Sequence, residues 1–200
     1  YGTLLLADEV FTGFGRTGRM FACEHAEVAP DIMCLSKGLT AGYMPLAATA
    51  ATEAIYESFL SDDRGRTFFH GHSYTANPLA CAVGLASLDI FRDEDVLGRI
   101  ARLEAQLRTG LEPLRELPWV GDVRVLGGVG VVELAPAPGG AGGYFDEVGP
   151  RGARAFLHRG PLIRPLGNGV YFMPPYAITD GEAAWALGEI AAVLGDLDKL

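Results

Sequence analysis

An apolar run from Thr3 to Ala7 opens the chain, ends at Asp8, and reads as a buried strand of the parallel type. A second short, β-prone run, Asp31 to Leu35, stops at Ser36-Lys37-Gly38, and Leu46 to Ala51 suits a third strand. Between the first two lie the glycine-spaced loop Gly13 to Gly18 and a short helix expected over Phe21 to Ala26. Thr52 to Leu60 predicts a helix with Thr52 as its cap and Glu53 in its first turn, followed by a polar loop over 61–67. Asn77-Pro78 opens a helix from about Leu79 to Phe91, with Pro78 where its fixed φ suits a first turn. Amphipathic spacing predicts a long helix from about Asp95 to Leu117, stopped by Pro118.

From Trp119 the texture changes to short strands, such as Val129 to Leu134 and Val170 to Met173, separated by a Gly/Pro/Ala-rich loop over 135–143. A helix over about Asp180 to Leu194 closes the pattern. The class is α/β, with a domain boundary expected near residue 118 and the long helix as connector, giving 1–118 and 119–200.

Composition narrows the function classes. An apolar content of 49% supports a sizeable core, and a net charge of -9 argues against nucleic acid or an anionic membrane surface as partner. Small molecules or protein are the expected partners. No apolar stretch approaches a membrane span, and the start lacks the basic lead of a signal peptide. Cys23, Cys34 and Cys81, an odd number among apolar neighbours, suit reduced and mostly buried thiols, hence a cytoplasmic protein. The chain begins without Met and directly on a strand, which reads as a fragment.

Among the basic residues only Lys37 and Lys199 are lysines, so covalent lysine chemistry has essentially one candidate. Lys37 follows an apolar strand and precedes Gly38; a desolvated amine there would condense with aldehydes, although position alone better suits a surface lysine at a loop. Open α/β sheets bind ligands at the carboxyl ends of strands, so strand-end Asp8 and Lys37 are candidates to face one crevice. Asp8 calls for a cation; an ordinary cap or an arginine salt bridge is the competing reading. Phe68 to Pro78 puts hydroxyls and backbone amides ahead of a helix start, a setting that favours phosphate, while His70-Gly71-His72 is a weak metal pattern. Arg164, in an apolar setting, suits a carboxylate or phosphate, or else a structural salt bridge. Nucleotide binding is not read from Gly13 to Gly18, which lacks the Lys-Ser/Thr of a P-loop.

Taken together, Leu6-Ala7-Asp8-Glu9-Val10, Gly13 to Gly18, Ala29-Pro30-Asp31-Ile32, Ser36-Lys37-Gly38-Leu39 and Asn77 to Ala82 resemble the class-III aminotransferases of fold type I, over nearly all of residues 1–91 and in order. Phe21 to Ala26, Ala47 to Ala50, and Arg164-Pro165-Leu166 with Met173-Pro174-Pro175-Tyr176 are similar to the branch of that class that aminates 8-amino-7-oxononanoate to 7,8-diaminononanoate in biotin synthesis. The resemblance implies part of the large mixed-sheet domain over 1–118 and a small α+β carboxyl-terminal domain over 119–200. It implies pyridoxal phosphate as cofactor, with Lys37 as the Schiff-base lysine, Asp8 as partner of the pyridine nitrogen, and Val10 packed on the ring face. It further implies that Ser73 binds the cofactor phosphate, that of the neighbouring subunit in a homodimer, with Gly71 letting backbone approach beside cofactor and substrate. Arg164 is expected to hold the keto substrate's carboxylate.

Two departures from the family pattern concern substrates. His72-Ser73 stands where many members have Pro-Thr, which leaves S-adenosylmethionine, lysine or another amine as donor; Phe11 stands where acetylornithine-type relatives carry glutamine. The family's glycine/serine phosphate cup and ring-stacking aromatic are expected from a segment preceding Tyr1. Alternatives are another ω-amine or amino-acid transaminase, or a non-catalytic dimerisation module.

Overall fold

The computed structural model describes residues 2–136, 143 and 148–196. They form two compact units, 1–97 and 98–200.

In the first unit, β1 (Leu6–Asp8) pairs in parallel with β2 (Ile32–Leu35), and β2 pairs antiparallel with β3 (Ala48–Ala51). Thr3 to Leu5 precede the ladder, although the Leu5 carbonyl still accepts the Asp31 and Ile32 amides. The expected burial of the first strand is not found: Leu4, Leu5 and Leu6 are exposed, because β1 is an edge strand and nothing among the described residues covers its faces. The helix expected over Phe21 to Ala26 is a 3-10 turn, Ala22–His25, and another such turn, Lys37–Thr40, follows β2.

A short α1 (Glu53–Glu57) begins after Thr52, whose side chain makes no cap bond. The long α2 (Pro78–Asp93) does have its cap: Asn77 Oδ1 accepts the Leu79 and Ala80 amides at 3.0 and 3.2 Å. Core packing here is sparse, with Phe14 and Ala80 the buried apolar residues nearest the sheet edge and α2.

The second unit has the denser core. Its sheet is a meander of β4 (Val120–Leu126), β5 (Val129–Leu134) and β6 (Gly169–Phe172), all antiparallel. A two-residue Gly127-Gly128 turn joins β4 to β5, and Gly127 at φ 54° supplies the conformation such hairpins require. Against the sheet lie α3 (Val96–Leu111), α4 (Val148–Arg159) and α5 (Asp180–Gly195). Leu103, Leu107 and Leu111, four residues apart on α3, meet Phe156 of α4 and Ile190, Val193 and Leu194 of α5.

That packing moves the boundary. A division near 118 was the expectation; it falls between Leu97 and Gly98, because the apolar face of α3 is part of the second core. The helix also ends earlier than Leu117. Pro113 has no amide to donate, and the chain tightens into a 3-10 turn over Glu112–Glu116. Truncating Leu107, which is fully buried, to alanine should cost about 2–5 kcal/mol. A denaturant midpoint corresponding to less than about 1 kcal/mol would mean that α3 is dispensable to this core.

The Gly/Pro/Ala loop over 135–143 and Lys199 fall largely or wholly outside the described residues. Among those described, no helix is long and apolar enough to cross a membrane, and the three cysteines are free and half-buried.

Candidate active site

Parallel pairing decides where the candidate chemistry goes. Asp8 lies opposite Cys34, and the Glu9 amide donates to the Cys34 carbonyl at 3.0 Å, so β1 and β2 end at the same edge. Asp8 is the last residue of β1 and Lys37 comes two residues after the end of β2, so both belong to that carboxyl edge. Both side chains are exposed. Asp8 Oδ1 accepts the Val10 amide at 3.0 Å, and Oδ2 has no partner among the described residues. Of the readings that competed for Asp8, the salt bridge is not found among the described residues, while the bond to the Val10 amide is a loop cap through one oxygen.

Lys37 has φ 41°, in the left-handed region, a conformation costing on the order of 1–3 kcal/mol for a residue other than glycine. Its surroundings hold it there. The Ser36 hydroxyl donates to the Leu46 carbonyl at 2.7 Å, the Leu39 amide to the Ser36 carbonyl at 2.9 Å, and the Ser87 hydroxyl to the Gly38 carbonyl at 3.3 Å. Gly38 is required sterically: a Cβ there would stand 2.8 Å from Phe14 Cβ. The Lys37 amine lies 5.4 Å from the centroid of the Phe11 ring. Half-buried Val10 and exposed Phe11 thus join Asp8 and Lys37 at this edge.

The segment carrying Gly71 and Ser73 is tied together locally. The His72 amide donates to Thr75 Oγ1 at 3.0 Å and the Tyr74 amide to His72 Nδ1 at 3.1 Å. His70 stacks on Phe68, centroids 5.4 Å apart. Gly71 is not forced by sterics within this chain, because a Cβ would meet only Thr75 Oγ1 at 3.6 Å. Ser73 is exposed. The start of α2 is less open to phosphate than the sequence suggests, since Asn77 already takes its first amides. A cavity of about 700 Å³, lined by Ser36, Leu46, His72, Tyr74 and Asn77 among others, links this segment to the residue before Lys37.

In the second unit, Arg164 is exposed and has no carboxylate partner among the described residues. It lines a groove of about 600 Å³ with Leu162, Tyr171, Met173 and Trp185. Glu182 shares that groove but is occupied by the cap of α5, where it accepts from the Thr179 amide and hydroxyl, each at 2.8 Å. A guanidinium lining an apolar groove suits an external carboxylate better than an internal salt bridge.

One residue of this edge carried no expectation. Glu9 is only 2% exposed, yet it is charged. Burial alone would raise its carboxyl, but the Thr12 hydroxyl and the Ala22 and Cys23 amides outweigh it and hold Glu9 below the ordinary carboxylate range. The same carboxylate, aided by burial, pushes the neighbouring Cys23 thiol upward. Strand alternation offered the signal: of two consecutive carboxylates at a strand end, one must turn away from the crevice and find donors inside. The loop after Glu9 has its glycines at G-x-G-x-x-G spacing, yet it opens no α-helix, so it lacks the helix amino end on which a dinucleotide would rest.

A lysine and a carboxylate at the carboxyl edge of an α/β sheet make a candidate small-molecule site, and the fold around them is that of fold type I transaminases. The chain belongs to the class-III aminotransferase family, which it matches over residues 1–194. It is 48% identical to the adenosylmethionine-8-amino-7-oxononanoate aminotransferase of Synechococcus elongatus, over 98% of this chain and 44% of that protein. The crystal structure of the Methanocaldococcus jannaschii adenosylmethionine-8-amino-7-oxononanoate aminotransferase superposes with a TM-score of 0.88 at 39% identity, over 97% of this chain and 46% of that one. An (S)-enantioselective omega-transaminase from Thermomicrobium roseum superposes with a TM-score of 0.88 at 37% identity, over 98% of this chain and 44% of that one. The fold is that of these transaminases, and the chain spans under half the length of the relatives it matches.

Proposed function

We propose that the complete protein is a pyridoxal-phosphate-dependent aminotransferase that converts 8-amino-7-oxononanoate to 7,8-diaminononanoate, a step of biotin synthesis, in the cytoplasm. The observation that carries this reading is the pairing of an exposed Lys37 amine with a half-satisfied Asp8 carboxylate at one sheet edge. The choice of substrate is supported by the 48% identity to a protein named for it.

The residues present fit the cofactor. Pyridoxal phosphate supplies an aldehyde that a lysine amine can take up and a ring that draws electrons from the substrate carbon. Lys37 Nζ would hold the cofactor covalently; once freed, it would take a proton from the donor's amine-bearing carbon and later deliver one to the keto substrate's carbonyl carbon. Asp8 Oδ2, with no protein donor among the described residues, would accept the pyridinium N–H and keep that nitrogen protonated. Val10 would cover one ring face. Ser73, with Gly71 beside it, would bind the phosphate of a second copy's cofactor, Gly71 also bordering the substrate. Support for a homodimer comes from the same segment, where Phe69 and Tyr74 are 78% and 74% exposed, an apolar surface that a second subunit would cover.

Arg164 would bind the keto acid's carboxylate. Arg164→Leu is expected to raise KM for 8-amino-7-oxononanoate about 10- to 100-fold, the worth of a charged hydrogen-bonded pair, with little change in kcat. An unchanged KM would remove Arg164 from the substrate site.

The function itself is tested by assaying the full-length enzyme on 8-amino-7-oxononanoate with S-adenosylmethionine, lysine and simple amines as donors. Product with either of the first two supports the proposal and names the donor. Turnover of other ketones but not of this keto acid would favour an ω-amine transaminase, the reading to which the Thermomicrobium likeness lends weight.

A further inference from the structure

The buried carboxylate of Glu9 is the centre of a clamp whose other end reaches Lys37. Glu9 Oε2 accepts the Thr12 hydroxyl and, at 3.0 Å, the Ala22 amide; Oε1 accepts the Cys23 amide at 2.8 Å. The Glu9 carbonyl accepts the Gly13 amide at 2.9 Å, and only glycine fits there, since a Cβ would lie 2.8 Å from that oxygen. Residues 9–13 are thereby closed into a turn that carries Phe11, the ring 5.4 Å from the Lys37 amine.

The clamp also grips Phe14 from both sides in sequence. Thr12 lies two residues before it, and Ala22 follows Phe21, whose ring meets Phe14 edge-on at 5.7 Å between centroids. Phe14, 3% exposed and at φ 56°, in turn abuts Gly38 at the distance that excludes any side chain there. Gly38 is bonded to Lys37, whose own backbone is held in the left-handed region. Any slackening at Glu9 therefore passes through Phe11 and Phe14 to the one lysine of this edge.

We propose that Glu9 is a positioning residue: its carboxylate locks the loop over residues 10–23 so that Phe14 wedges against Gly38 and Phe11 lies over the Lys37 amine, fixing the direction in which that amine is presented. The inference rests on the reading of Lys37 as the cofactor lysine. An amide at position 9 would fill the same space, but one of its two ends would turn a donor toward Thr12, Ala22 or Cys23. Glu9→Gln should therefore disturb the clamp without leaving a cavity.

The experiment uses the full-length enzyme stripped of cofactor. Pyridoxal phosphate is added, borohydride quenches the mixture at intervals, and peptide mass mapping gives the rate at which label appears on Lys37. Steady-state kcat and KM for 8-amino-7-oxononanoate are measured alongside. Glu9→Gln and Thr12→Val are expected to slow capture and lower kcat by about tenfold or more, the scale of a small misalignment, with KM nearly unchanged. Thr12→Ser, which keeps the hydroxyl, should restore both. If Glu9→Gln does not fold, the contrast between Thr12→Val and Thr12→Ser decides the matter. Normal capture and kcat in the folded variants overturn the clamp alone. Absence of label on Lys37 in the unsubstituted enzyme overturns the functional reading, and the clamp's purpose with it.

Discussion

Lys37→Ala in the full-length enzyme is expected to lower kcat/KM by on the order of 10⁴-fold or more, because one amine serves as cofactor anchor and proton carrier. The fold should survive the change. Lys37 is exposed, its amine touches only the face of Phe11 in the contacts described, and alanine meets the same φ of 41° that lysine already tolerates. A thermal midpoint close to that of the parent, together with lost turnover and lost borohydride label, would separate chemistry from stability. Lys37→Arg should be equally inactive, since a guanidinium stays protonated and does not condense with an aldehyde. Retention of more than about a hundredth of the parent's turnover in Lys37→Ala would sink the mechanism, since a positioned acid–base group alone contributes about that much.

Asp8→Asn is expected to cost about 10²- to 10³-fold in kcat, because a neutral amide would no longer favour a proton on the pyridine nitrogen, and an unprotonated ring would draw electrons less strongly. The substitution is nearly isosteric, and asparagine can still accept the Val10 amide, so the local turn should persist. Cofactor uptake, followed by absorbance and by trapping on Lys37, should fall much less than kcat. An Asp8→Asn enzyme turning over within about threefold of the parent would show that the ring nitrogen does not depend on this carboxylate, since a protonation effect of about one pKa unit already exceeds that.

Much of this edge was legible from local pattern. Lys37 stands out because lysine is almost absent from the chain, and its position after a β-prone run matches the end of β2 at Leu35. Asn77-Pro78 announced the start of α2 through cap and first-turn chemistry, and Val129–Leu134 forms a strand with the expected bounds. Elsewhere local pattern fell short. No element was read over 148–159, where Gly149, Pro150 and Gly152 depress helix propensity; α4 forms there with Phe156 fully buried in the second core. The long helix looked continuous to Leu117 because its apolar spacing continues, but Pro113 cannot donate the bond that continuity needs.

The sequence by itself determined the kinds and approximate limits of most elements and the candidate lysine, because periodicity, caps and breakers act over a few neighbouring residues. Tertiary structure alone decided the rest. Parallel pairing of β1 with β2 brings Asp8 and Lys37 to one edge, and the alternation of the strand turns Glu9 inward toward Thr12, Ala22 and Cys23. The packing of Phe14 on Gly38 accompanies Lys37 in a backbone conformation that its side chain disfavours. Arg164 lines a groove without an internal partner among the described residues, and the boundary between units falls in the first turn of α3. Each of these outcomes depends on which distant segment supplies a donor, a wall or a core, and a one-dimensional pattern carries no information about that choice.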